Sequence, residues 1–299
     1  KDPDNIIAHE RLAFILGVEG RHWEALPHLF DPIRQGRIAL EPLVLLGAAG
    51  SKSVMNSELV FQATEVAPDD PLPTLGLARM YLDNNDVEES ERLIRDVLQR
   101  RPDLIEAHAI LAQIVVETGD ADQVKSWIAG LPDAAQEHPE IWYWRGVWAS
   151  QQADLSTAAR CMWEALKRQP NHLEANRQLG ELLLKLDRER DAEPFTERAK
   201  KLETLLPLLD ELYESRENTD PDKAMIEKMM TVAELAEGLG RLWEAWAWQQ
   251  IVLVVEPKNT RALKQVQRLG AEVAKDSDQV IADAQPARYL DLETIPLPE

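Results

Sequence analysis

Cysteine is nearly missing from this chain: Cys161 is the only one, so no intrachain disulfide can form and no metal site built from several thiolates exists. Glycine and proline, at 13 and 18 of 299 residues, are too few for a collagen-like or low-complexity chain. No run of eighteen apolar residues occurs, so direct membrane insertion through a helix is not expected. No secretory leader is recognisable, and since the chain opens on Lys1 the missing leader says little about compartment. Positive charge is the last shortage. Lys and Arg number 33 against 53 Asp and Glu, a net charge of −20. So acidic a chain repels nucleic-acid backbones and anionic membranes, so the expected partner is a protein or peptide of basic or apolar character.

What the chain does have is a period. Hydrophobic residues make up 44% of it, enough for a continuous core. Ala158 and Ala192 stand 34 residues apart, and the same step leads back to Val124, Ser90 and Asn56. Ala78, Ala112, Gly146 and Gly180 form a second column at the same spacing, and Ala63, Val97, Leu131, Ala165 and Ala199 a third. Pro68, Pro102 and Pro170 close their units, while Gln136 breaks that column. Small residues at fixed positions let two helix backbones approach, and stacked helix pairs bury faces that one pair cannot. Helix-stop chemistry falls between the columns, in Asn84-Asn85-Asp86 and Gly119-Asp120.

The period and its residues resemble the tetratricopeptide repeat family. The unit with Trp142, Gly146, Ala158, Ala165 and Pro170 matches its pattern best, followed by the one with Ala233, Gly240, Ala245 and Pro257. Gly20-Arg-His-Trp-Glu-Ala25 is echoed by Gly240-Arg-Leu-Trp-Glu-Ala245. The resemblance implies an all-α, right-handed solenoid of helical hairpins over residues 1–275, each unit contacting only its neighbours. Units are expected near 6–36, 37–70, 71–104, 105–138, 139–172, 173–204 and 226–259, with an irregular insertion at 205–222, in which Pro207–Glu217 reads as an extra or extended helix and Asn218–Pro221 as a loop. A capping helix at 260–275 and an extended tail at 276–299 complete the chain.

A narrower resemblance, carried by Gly20-Arg-His-Trp-Glu-Ala25, the unit at Ile141–Pro170, Trp243-Glu-Ala-Trp246 and Ala287-Arg-Tyr-Leu-Asp-Leu-Glu-Thr-Ile-Pro-Leu-Pro298, is to the tetratricopeptide segment of bacterial proteins with FG-GAP (VCBS) and ASPIC/UnbV regions. That resemblance implies an extracytoplasmic setting; without it a cytoplasmic one is expected.

In the family's register, five positions of each first helix point into a concave groove. They place Leu75, Arg79, Leu82, Gln113, Tyr143, Val147, Arg177, Glu181 and Lys185 there as candidate partner-binding residues. Arg and Tyr are types favoured at interface hot spots. The Lys, Asn and Arg set with which the family holds acidic C-terminal tails is missing, because Gln113 and Glu181 stand where Asn is wanted. Trp142 sits on the aromatic core column. Trp144 and Trp148, four apart on one helix face, are a candidate exposed aromatic anchor, with packing on the next unit as the plainer reading.

Gly47-Ala-Ala-Gly-Ser-Lys-Ser53 lacks the glycine before its lysine and any preceding strand, so it is not read as a phosphate-binding loop. His22 and His28, six apart, do not share a helix face, and neither a metal nor any other cofactor is expected. No catalytic constellation stands out. The chain is expected to be an adaptor or scaffold, with a substrate-recruiting module of a larger enzyme or a self-assembling structural component as alternatives.

Overall fold

The computed structural model describes residues 5–48, 57–215 and 222–275. Every regular element among them is helical: α1 (Ile6–Val18), α2 (His22–Arg34), α3 (Leu40–Gly47), α4 (Ser57–Val66), α5 (Pro71–Asp83), α6 (Val87–Arg100), α7 (Ile105–Thr118), α8 (Ala121–Ala129), α9 (Pro139–Gln151), α10 (Leu155–Arg168), α11 (Leu173–Lys185), α12 (Glu189–Glu214), α13 (Lys223–Gly238), α14 (Leu242–Val255) and α15 (Thr260–Val273). The fold is an all-α helical solenoid. The tail at 276–299, the Ser51–Asn56 loop and Asn218–Pro221 lie outside the described residues.

Local chemistry sets where the helices begin. Asp70, Asp86, Asp120, Asp154, Asp222 and Asn259 each accept a backbone N–H of the first turn, contributing about 1 kcal/mol apiece. His138 and His172 do the same for α9 and α11 through a ring nitrogen. The turns inside the hairpins use the left-handed region. Asn85, Ala153 and Asp187 have φ of 63°, 60° and 56°, and Gly20 and Gly240 have 71° and 79°.

The small-residue columns are points of close contact. Ser90 is buried and its hydroxyl donates to the Ala78 carbonyl at 2.8 Å. A Cβ on Gly146 would sit 3.1 Å from the Cβ of Cys161, and one on Gly180 would sit 2.8 Å from Oγ1 of Thr196.

Two hydrophobic clusters result, and their membership shows how the solenoid closes. The first runs from Leu75 in α5 to Phe195 in α12. The second joins Leu29, Ile33, Leu43 and Val44 of α2 and α3 to Leu205, Leu209, Met229 and Trp248 of α12 to α14. The helices α3 and α12 touch, as do α3 and α14. The expectation that each unit meets only its sequence neighbours is therefore corrected. The short α3 does not fold back along α4; its apolar face, with Leu43 and Val44 almost fully buried, is covered by the far end of the chain.

Within the insertion, the extended helix expected over Pro207–Glu217 is present as the end of α12. Residues 205–214 continue α12, which runs through Pro194 and Pro207 to Glu214. A proline inside a helix costs about 3 kcal/mol. Leu202, Leu205, Leu209 and Leu212 of the same helix are at most 1% exposed, and burying one leucine contributes roughly 1.5–3 kcal/mol. Burial therefore outweighs the lost hydrogen bond.

The turn after α1 rests on α5: a Cβ on Gly76 would lie 2.0 Å from the Val18 carbonyl oxygen. Gly→Ala inside a helix ordinarily gains about 1 kcal/mol, but an overpacked contact loses about 1–3 kcal/mol. Gly76→Ala is thus expected to lower the urea midpoint, while Ala153→Gly, which relieves a left-handed alanine, raises it. Opposite signs in the two variants confirm both contacts.

Candidate functional site

The inner face of the first helices carries a ladder at the repeat spacing. Glu106, Glu140 and Glu174 occupy the second position of α7, α9 and α11, and each is 34 residues from the next. The two capping histidines face them: His138 Nε2 lies 3.2 Å from Glu106 Oε2, and His172 Nε2 lies 3.0 Å from Glu140 Oε1. Each histidine thus starts one repeat and holds the repeat before it. Tyr143 stacks beside His172, with ring centroids 4.7 Å apart, and its hydroxyl accepts from Gln178 at 3.0 Å.

Onto this ladder docks the chain's own first hairpin. The backbone N–H of Trp23, at the start of α2, donates to Glu106 Oε1 at 3.1 Å, and its ring lies 6.0 Å from that of His138. Gly20 sits against the stem of Arg79, 3.2 Å from its Cβ if given a side chain. The far side of the docking is a clamp. Arg241 donates to the Leu46 and Gly47 carbonyls at the end of α3, at 3.0 and 3.3 Å, and pairs with Glu244 through Nε and Nη2.

Burial works on these groups in known directions. Burial lifts the Glu106 carboxyl, but His138, Arg79 and His22 outweigh it and leave it below the usual carboxylate range. Glu140, opposed by burial but held by His172, falls to about 2. Burial, with Arg79 close by, holds the His22 imidazole below its ordinary value. Burial lifts Glu244 against the pull of Arg241. Cys161 is pushed up to about 12 by burial, so at neutral pH it is a thiol packed among apolar groups and no nucleophile.

Between α2 and the α10–α11 junction lies a cavity of about 780 Å³. Its walls come from α2 and α3, from the 168–174 segment, and from Leu206, Arg241, Trp243 and Glu244. The echoed motifs meet here: Trp23 and Glu24 of one copy, and Arg241, Trp243 and Glu244 of the other, all line this space. Among the described residues no group of His, Cys, Asp and Glu is arranged to hold a metal ion, and no helix is long and apolar enough to cross a membrane.

The expected groove residues divide by depth. Leu75, Leu82 and Tyr143 are 0%, 7% and 8% exposed. They pack between repeats instead of facing a partner. Arg79, Gln113 and Val147 are half-buried, and Arg177, Glu181 and Lys185 of α11 are exposed. Trp144 is 8% exposed and touches Tyr143 edge-on, so it is no exposed anchor; Trp148 is half-buried on the same cluster. Trp142 is buried, as its column implies. The glutamate ladder went unread although its 34-residue column, with His138 and His172 beside it, stands in the sequence.

Family comparison agrees with this architecture. The tetratricopeptide repeat model matches residues 59–114, from α4 into α7. That stretch is thus similar to tetratricopeptide repeats, in keeping with the helical solenoid around it. No curated protein matches it. Among solved structures, MamA AMB-1 is 17% identical, with 62% of this chain and 92% of that one covered at a TM-score of 0.36. MamA MSR-1 is 16% identical, with 67% and 97% covered at 0.33. The APC/C hetero-tetramer Cut9–Hcn1 is 14% identical, with 91% of this chain and 54% of that one covered at 0.46. None of these findings supports the narrower resemblance to FG-GAP and ASPIC/UnbV proteins, and the tail that carried it lies outside the described residues.

The ladder makes stability acid-sensitive. Glu140 has a folded-state pKa of about 2 against an ordinary 4.5. Its contribution is therefore complete above about 4.5 and is lost as pH falls toward about 2. In urea titrations across that window, Glu140→Gln should flatten the pH dependence relative to the parent chain. An unchanged slope would remove Glu140 from the acid response.

Proposed function

We propose that this chain is a scaffold that holds a segment of a partner protein against the inner face of its later repeats, beside its own docked hairpin. The carrying observation is uneven cover along one register. The α2 hairpin and interrepeat packing occupy the positions on α5 and α7, whereas Arg177, Glu181 and Lys185 on α11 stay exposed. The partner segment is an extended peptide or one helix. The net charge of −20 favours a basic or apolar partner and speeds the encounter with a basic one. Because the helices are already fixed by the ladder and the clamp, binding orders mainly the partner, which lowers the entropic cost of association.

A second reading has its own observation. The first helix leaves Ile7, Phe14 and Ile15 exposed at 56%, 55% and 48%, an apolar strip at one end of the described fold. Self-assembly through that end predicts a sedimentation coefficient that rises with concentration; a monomeric scaffold keeps it constant.

Site-specific photo-crosslinking tests the main reading. A photoreactive residue at Glu181 should capture a partner protein from the source cell's extract, while one at Glu88 on the outer helix α6 should not. Equal capture from positions 88 and 181 would place the binding surface elsewhere.

A further inference from the structure

The ladder on the inner face follows a rule that fails at one rung. Two columns with the 34-residue spacing set it: Leu72, Glu106, Glu140 and Glu174 on the first helices, and Leu104, His138, His172 and Leu206 one repeat further on. At the first step both positions are leucine, and both pack into the first apolar cluster. At the next two, each glutamate lies against a histidine ring nitrogen, at 3.2 and 3.0 Å. At the last step Glu174 is matched with Leu206, because α12 runs on through the position where another first helix would begin. Glu174 and Leu206 both line the cavity under α2. The cavity therefore lies at the rung that has a carboxylate and no imidazole.

The Glu174 carboxylate is open to a ligand. Its side chain is 39% exposed, against 4% for Glu106 and 25% for Glu140. Among the described residues it pairs with Arg177 of its own helix, itself 51% exposed. A pair so open to water exchanges partners readily. Arg177 is also shared: Glu174, and less strongly Glu181 and Glu203, hold its guanidinium above the ordinary value, so one cation serves three carboxylates. The other charges of the cavity wall have nearer counter-ions. Arg241 pairs with Glu244, Glu24 with Arg21 and His172 with Glu140, Asp31 lies beside His9, and Arg34 is engaged too. Arg168 pairs with Glu164, which also holds Arg160 and Lys167, so that side of the wall is positive. A cationic head entering the cavity is thereby turned away from Arg168 and toward Glu174. Trp23, Phe30 and Leu206 supply apolar wall for the stem that carries such a head.

We propose that this cavity receives a basic side chain of the partner, lysine or arginine, whose cationic head pairs with Glu174 and whose methylene stem lies against Trp23, Phe30 and Leu206. The volume of about 780 Å³ admits such a side chain with its flanking backbone. This site rests on the scaffold reading and narrows it to a basic partner. The incoming residue gives Glu174 the nitrogen partner that the two earlier rungs have from histidine.

The test uses the full chain with 15N-labelled tryptophan and follows the Trp23 indole cross-peak, assigned from Trp23→Phe. N-acetyl-L-lysine N-methylamide is the probe. Its norleucine analogue keeps the stem without the charge, and its glutamate analogue reverses the charge. In about 0.15 M salt, which screens distant carboxylates, the lysine amide should move the Trp23 peak saturably, with a Kd of about 1–10 mM for so small a ligand. Both analogues should bind at least about tenfold more weakly. Glu174→Gln should weaken the lysine amide about tenfold. Glu203→Gln removes the same charge from a residue outside the cavity wall and should change the affinity less than about twofold. The indole peaks of the other tryptophans, unmoved in both variants, verify the fold. No saturable shift, equal binding of the norleucine amide, tighter binding of the glutamate amide, full affinity in Glu174→Gln, or an equal loss in Glu203→Gln overturns the proposal. Crosslinking from position 181 reads the scaffold function separately, so a silent cavity with intact capture rejects only the basic side-chain site.

Discussion

The rest of the structure depends on one hydrophobic contact between the two ends of the chain. Leu43, Val44 and Leu46 of α3 share a core with Leu205, Leu209 and Leu212 of α12 and with Trp248 of α14. A repeat solenoid ordinarily leaves its first unit stacked on its second, with a free groove beside it. Here the first hairpin is drawn back across the inner face. The Trp23 N–H then reaches Glu106, the turn at Gly20 reaches Arg79, and Arg241 closes over the end of α3. The cavity between α2 and α11 exists because these contacts hold α2 there.

The ladder and the contact are coupled through charge. Glu106 accepts the Trp23 amide and lies 3.2 Å from the His138 ring nitrogen, so the same carboxylate that sits between two repeats also receives the hairpin. Buried ionic groups contribute little net stability when fully paired but are costly to unpair. Glu106 therefore acts more as a register mark for the docked hairpin than as a source of stability. The leucines of α12 and α3 supply the stability, at roughly 1.5–3 kcal/mol per buried side chain.

Much of the fold could be read before any coordinates. The columns through Ser90, Val124, Ala158 and Ala192 mark helix crossings because a larger side chain at those points would push two backbones apart, and all four are buried. The end of α8 before Gly130-Leu-Pro-Asp and the helix at Thr260–Val273 follow from breakers and amphipathicity. Closure was not legible, because the apolar stripe of α12 looks the same whether it faces a sequence neighbour or α3. The extended helix read at Pro207–Glu217 is the end of α12, but what holds it there was hidden for a related reason: the proline's local penalty is visible in the sequence, while the burial that offsets it depends on distant residues. At the site, the family register gave the face of each helix but not its depth. Leu75 and Tyr143 therefore turned out to be packing residues, while the Glu106, Glu140 and Glu174 column, on the same face, supplied the connections.

The most direct test of closure is a disulfide between residues 162 positions apart in sequence. A Cβ on residue 47 lies 3.6 Å from Cγ of Leu209, close enough for a bridge with little backbone movement. Cys161 is buried and does not compete. With Gly47→Cys and Leu209→Cys together, mild oxidation of the dilute protein should give an intramolecular bridge in nearly all molecules, seen as faster migration on a non-reducing gel. An unbridged chain, or bridging only between molecules, would mean that the two ends stand apart and that the inner face is open along its whole length.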